Sequence, residues 1–230
     1  MPDWITETLQ PNGTLKNKLG ISDNQELRQK EYELSSINSI KILDKKPKIN
    51  SINDLYKIHK LMFSDLYSWA GQKRQGNFNK NGYEFFDYQF FDMAEQDAND
   101  KITKINNTKE PTSKDYAELL DTLNYMHPFR EGNGRSTKLF LECLAAKHGQ
   151  SISYPRKNDE MIEAQNNSDT NKLAKLINLT DFKTQKQAYE KTKTKYEIKT
   201  INAPANNNLT DDYQLEWGSL LNLIDHASYD

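Results

Sequence analysis

The sequence predicts an all-α bundle carrying one small β-hairpin, and three observations lead there. Apolar residues recur at three- and four-residue spacing up to about residue 180, divided into runs by cap residues and breakers. Residues 74–88 lose that period, alternate weakly, and contain Asn81-Gly82, the dipeptide of a two-residue hairpin turn. At 230 residues the chain can bury a sizeable core, organised as one domain plus an appendage.

Residues 1–20 read as an extended arm with a turn at Pro11-Asn12-Gly13-Thr14. Ser22, with Gln25 three residues on, is expected to cap a helix over about 23–42 that ends before Pro47. Its apolar content is Leu27, Tyr32, Leu34, Ile37, Ile40 and Leu43. Ser51 with Asp54 is expected to cap the next helix, whose stripe of Leu55, Ile58, Leu61, Met62, Leu66 and Trp69 runs through to Gly71. His59 lies within that stripe and reads as structural, and Trp69 reads as a core anchor. After the hairpin, Phe90, Met93, Ala94, Ala98, Ile102 and Ile105 predict a helix over about 89–105. Thr112 with Asp115 opens another, carrying Leu119, Leu120, Leu123 and Met126.

Pro128 cannot donate to a helix and bars the residue before it from the α region, so that helix ends at His127. Leu139, Phe140, Cys143, Leu144 and Ala146 predict a following helix that starts between Asn133 and Ser136 and stops at Gly149. Tyr154-Pro155 is extended, and two short helices are expected over 158–166 and 169–178. From about 181 the apolar content thins. Lys183 to Lys199, with Tyr189, Tyr196 and Ile198, reads as a charged, solvated helix, and 203–208 reads as a linker. Residues 209–225 form an amphipathic helix that must dock on this domain or on a partner. The expected division is a domain over 1–182, with an N-terminal arm over 1–21, and an appendage over 183–230.

The formal net charge is −2 and the pI about 6.1, so no basic excess argues for nucleic acid. Cys143 is the only cysteine, which excludes an intramolecular disulfide; on its apolar face it reads as a buried, inert thiol. Residues 1–5 lack a basic start and an apolar run, and no stretch is long enough to span a membrane. The expectation is a cytoplasmic bacterial protein, or a secreted effector without a readable signal.

The chemistry concentrates in His127-Pro128-Phe129-Arg130-Glu131-Gly132-Asn133-Gly134-Arg135-Ser136. Gly132 and Gly134 let backbone N–H groups turn inward as an anion-binding nest, backed by the positive end of the next helix. His127 stands at the mouth of the loop as a base that titrates near neutral pH. Glu131 is a hard oxygen ligand suited to one Mg²⁺ shared with phosphate oxygens. Asn133 can donate to a phosphate oxygen, Arg135 can fork across two, and Lys138 adds a second positive charge on the same face. Taken singly these are a loop histidine, a solvated glutamate and a tight turn. Together they form a polyphosphate site.

This run resembles the signature of Fic-domain proteins, most of which are protein adenylyltransferases. Residues 14–21 resemble the opening of that domain, and 58–71 resemble a second block of it. The resemblance implies a Fic-type helical bundle with the hairpin as a flap over the active site. It implies ATP as substrate with Mg²⁺ on Glu131, and His127 deprotonating a Ser, Thr or Tyr hydroxyl of a target protein that attacks the α-phosphate. Arg130, Gly132, Asn133, Gly134, Arg135 and Lys138 are the implied nucleotide-binding residues. The flap would hold the target by strand addition, with Lys80, Tyr83 and Phe85 as its contacts; an ordinary surface hairpin is the alternative. Gly134 favours AMP transfer, because related Doc-type kinases carry a larger or charged residue there. Lys138 departs from the family, which places a second arginine at that position; the planar two-pronged contact is lost.

Fic proteins are often held off by a glutamate at the γ-phosphate position, on a helix carrying Ser/Thr-x-x-x-Glu-Gly/Asn. Ser22 with Glu26 has the spacing but is followed by Leu27, and Asp212 with Glu216 has the wrong first residue. A small antitoxin protein supplying the glutamate is therefore the favoured regulator, its absence the alternative. Transfer of phosphate or phosphocholine, or a non-catalytic nucleotide-binding module, are the competing functions.

Overall fold

The computed structural model describes residues 4–77, 79–80, 83–155 and 159–201. The Asn81-Gly82 turn, the linker over 203–208 and the amphipathic helix over 209–225 with Glu216 lie outside the described residues. The described elements are mostly helical, with two antiparallel strand pairs.

A short helix α1 (Trp4–Glu7) precedes α2 (Asn24–Asp44). The cap of α2 is Asp23, not Ser22: its carboxylate accepts the Glu26 N–H at 2.7 Å. Ser22 is used otherwise, its carbonyl accepting from Asn12 and Thr14 of the arm. Helix α3 (Asn53–Phe63) starts without a Ser51 hydroxyl cap; instead Asp54 turns back to accept the N–H groups of Asn50 and Ser51. It also stops short of Gly71. Residues 64–71 turn back, and Gly71 at φ +80° lies where an added Cβ would come 2.7 Å from Lys60 Cβ. That approach requires glycine, and it brings buried Leu66 and Trp69 into the core from a turn.

Strands β1 (Asn79–Lys80) and β2 (Tyr83–Glu84) pair with Lys80 opposite Tyr83, the predicted hairpin. Helix α4 (Phe91–Asn107) follows a 3₁₀ turn, and α5 (Ser113–Met126) opens on the predicted capping box of Thr112 and Asp115. Helix α6 (Asn133–Lys147) is the centre of the bundle, packed by α3, α5 and later elements and buried on nearly every face. Leu139, Phe140, Cys143, Leu144 and Ala146 are fully buried. At roughly 1.5–3 kcal/mol for each large apolar side chain, this helix anchors the loop before it.

Strand β3 (Gln150–Ser153) pairs with β4 (Asn178–Asp181), with α7 (Asp159–Asn166) and α8 (Thr170–Leu176) between them. The sequence reading missed this pair. It ran the last short helix to 178, but the chain leaves α8 at Leu176, and Phe182 N–H bonds back to Gly149 at 2.8 Å. Helix α9 (Gln185–Ile201) corrects the expected solvated helix. It packs on α2, α6 and β3, burying Ala188, Tyr189, Thr192 and Tyr196. The tyrosine hydroxyls are satisfied inside: Tyr189 donates to Pro47 O at 2.7 Å and Tyr196 to Glu142 at 2.7 Å. Four-residue spacing of these side chains serves as an apolar stripe although the helix is rich in lysine. Among the described residues no helix is long and apolar enough to cross a membrane.

Candidate active site

Helix α5 delivers His127 in a left-handed conformation, φ 45° and ψ 62°, directly before Pro128. For a residue other than glycine this costs of order 1–3 kcal/mol and persists only where neighbours impose it. They do so here. His127 N–H bonds to Leu123 O at 3.1 Å, its carbonyl accepts Arg74 Nε at 2.9 Å, and Pro128 O accepts the Arg74 N–H at 2.8 Å. The imidazole stacks on Phe85, centroids 3.7 Å apart, and the residue is 7% exposed.

The loop from Phe129 to Gly132 is stapled from inside. Asn133 Oδ1 accepts the Phe129 N–H at 2.8 Å and Asn133 Nδ2 donates to Phe129 O at 2.9 Å. The Asn133 amide is thus buried and engaged with the loop backbone, its oxygen and one N–H both spent on Phe129. Gly132 has φ +79°, and a Cβ there would meet the Phe63 ring at 2.5 Å. Gly134 is an ordinary residue in the first turn of α6, so the left-handed turn is made by Gly132 alone. That first turn lies at the positive end of α6, where helices commonly receive anions.

His59 holds the same loop from below. Its Nδ1 accepts the Gly71 N–H at 2.8 Å, so the neutral ring carries its proton on Nε2 and donates it to Glu131 O at 2.9 Å. It stacks on Phe129 at 3.7 Å, and burial pushes its pKa down to about 3. His59 is thus structural, as read, but its structure is the loop itself. Glu131 keeps its side chain 29% exposed, with Oε1 accepting the Gly132 N–H at 2.9 Å.

Arg135 lies between two carboxylates. It pairs with Glu31 of α2 in a buried bridge and approaches Glu131 at 3.4 Å, over the Phe63 ring. Tyr67 donates to Glu31 as well, while burial, opposed by Arg135, moves the Glu31 pKa up. Lys138 is buried with Nζ 5.1 Å from the Tyr154 ring centroid. Arg130 donates from Nε to Thr8 at 2.8 Å, tying the arm to the loop, a contact not expected of a nucleotide ligand.

Of the flap residues, Phe85 is 7% exposed and its ring packs against the His127 imidazole. Tyr83 is half-buried and meets Phe85 and Tyr125 edge-on. Lys80 pairs with Tyr83 through the strand backbone. Sequence reasoning missed Glu31, Tyr67, Arg74 and Tyr154. Glu31 alone left a signal, a carboxylate four residues after Leu27 on the buried face of α2.

The result is a stapled loop between α5 and α6, with His127 at its start, Glu131 partly exposed within it, and Arg135 and Lys138 in the first two turns of α6. Residues 49–145 match the model of the Fic/DOC family. The chain is 30% identical over 183 residues to the protein adenylyltransferase VbhT of Bartonella schoenbuchensis, covering 74% of this chain and 38% of that one. It is 26% identical over 144 residues to "Probable protein adenylyltransferase Fic" of Salmonella typhimurium, 61% of this chain and 72% of that one. The crystal structure of the BepC protein of Bartonella tribocorum with bound AMPPNP superposes with a TM-score of 0.67 at 21% identity, over 76% of this chain and 98% of that one. This likeness is one of fold. The loop and the central helix both fall in the matched segment, and it is residues 49–145 that carry the likeness to the Fic/DOC family.

Proposed function

We propose that the chain transfers AMP from ATP to a Ser, Thr or Tyr hydroxyl of a target protein. One observation carries the reading: His127 is held in a left-handed cap at the end of α5, at one end of the loop whose other end is the N-terminus of α6. The names of the relatives VbhT and Fic, and the AMPPNP in the BepC structure, support the same reading.

The α6 amides hold the α-phosphate, and Arg135 and Lys138 take the outer phosphates. His127 removes the hydroxyl proton as the oxygen attacks the α-phosphorus. The bond to the bridging oxygen breaks, pyrophosphate leaves, and AMP stays on the target. Glu131 fits Mg²⁺: it is an acidic oxygen donor, partly exposed on the cradle rim, and Mg²⁺ binds through one or two carboxylates plus substrate phosphates. Bound there, the ion supplies charge neutralisation on the phosphates. The regulator proposed is a separate small protein that brings a glutamate to this cradle.

ATP labelled at the α- or the γ-position tests the reading. Protein label from the α-position alone, lost in His127→Ala with ATP binding retained, is the expected result. Label from γ alone makes the reaction phosphate transfer, and no label with retained ATP binding makes the chain a nucleotide-binding module.

A further inference from the structure

Arg74 is 1% exposed, and its guanidinium reaches several inward-pointing peptide carbonyls, with the Asp87 carboxylate near enough to act on its charge. Nε donates to His127 O at 2.9 Å, and Nη2 to Met126 O at 3.4 Å and to Phe86 O. Nη1 donates to Gly76 O at 2.6 Å and to Asn77 Oδ1 at 3.1 Å. Its carbon lies 4.8 Å from the Phe91 ring centroid. These acceptors come from three places: the end of α5 with the base, the segment that enters the flap, and the segment that leaves it. The leaving segment is also bonded to α5, Phe86 N–H to Tyr125 O at 2.9 Å, and Phe85 beside it stacks on the His127 ring.

We propose that Arg74 is the positioning residue that locks the flap base to the backbone of His127, and so sets where the base stands relative to an incoming hydroxyl. One planar fork satisfies several carbonyls that point inward, a geometry lysine cannot reproduce. The phosphate cradle is held by other groups, His59, Asn133 and Glu31. Loss of the fork should therefore damage turnover and spare nucleotide binding.

The proposal rests on the AMP-transfer reading, so the test separates the two. Arg74→Lys keeps the charge and loses the fork. Asn77→Ala leaves the guanidinium buried and removes one flap-side acceptor from an exposed position. In Arg74→Lys, kcat for AMP transfer should fall about 100-fold, the scale of a 1 Å misplacement, with KM for ATP changed less than about threefold. Asn77→Ala should lower kcat several-fold with the same split. Methylguanidine should restore part of the turnover of Arg74→Ala. Hydrogen exchange reads the lock without catalysis: the Phe86 amide should exchange faster in Arg74→Lys and Asn77→Ala, with α6 amides unchanged. If the wild type transfers no AMP, the exchange result still decides the lock. Unchanged kcat, an equal loss in ATP binding, or an unchanged Phe86 amide in both variants overturns it.

Discussion

Replacing His59 by Gln should flatten the acid side of the stability curve. His59 is neutral in the fold because burial holds its pKa near 3, against 6.5 for the free side chain. Between those values the unfolded chain binds a proton that the folded chain refuses, so stability is full above 6.5 and falls as pH drops below it. Each pH unit in that window removes about 1.4 kcal/mol. From pH 7 to pH 5 the loss from this ring is about 2 kcal/mol, a drop of roughly 4–8 °C in Tm for a chain of this size. His148, whose pKa burial also lowers, adds to the same window but is present in both proteins, so the difference between their curves isolates His59. Gln can donate to Glu131 O and accept from Gly71 N–H, though it loses the stack on Phe129. Urea melts at pH 7, 6 and 5 on wild type and His59→Gln measure the effect. Parallel curves would show that the ring is charged or solvated, and the loop support argued from its tautomer would fail.

Three further outcomes follow from the cradle. Gly132→Ala should cost about 3 kcal/mol or more, combining the left-handed backbone with a Cβ 2.5 Å from the buried Phe63 ring; a urea melt showing less than about 1 kcal/mol refutes the contact. Glu31→Gln leaves Arg135 with only half its compensation and should lower stability by roughly 3 kcal/mol. Phosphates then supply the missing charge, so ATP should raise Tm more in this variant than in wild type, and an equal or smaller rise refutes it. Lys138→Arg should lower the Kd for ATP several-fold, because a guanidinium spreads over the Tyr154 ring and forks across phosphate oxygens. A Kd unchanged or raised by titration calorimetry would contradict that.

Where local chemistry decides the outcome, the sequence was readable. Thr112 and Asp115 announce α5, and Pro128 announces its end, because caps and prolines act through their own backbone. Where tertiary contacts decide it, the sequence was opaque. Asn178–Asp181 has one apolar residue and becomes a strand only because β3 lies beside it. Helix α9 reads as solvated because its buried side chains are tyrosines and a threonine whose hydroxyls find partners only in the fold. The hold of Asn133 on the Phe129 backbone was equally hidden, since a donor amide looks the same in sequence whether it serves a ligand or a turn.

The same distinction explains why the site extends beyond the segment that matches the family. Residues 49–145 contain His127, the loop, Arg135 and Lys138, yet the carboxylate buried against Arg135 comes from outside them. Glu31, from α2, pairs with Arg135, and Tyr196, from α9, donates to Glu142 one turn beyond Lys138 on α6. Buried carboxylates like these are expensive unless paired and hydrogen-bonded. Glu31 and Glu131, on either side of Arg135, offset its charge at the loop. On the AMP-transfer reading, a polyphosphate therefore gains its affinity from aligned amides and forked geometry more than from the net charge at Arg135, and any change that loosens α2 should be felt first as altered nucleotide binding.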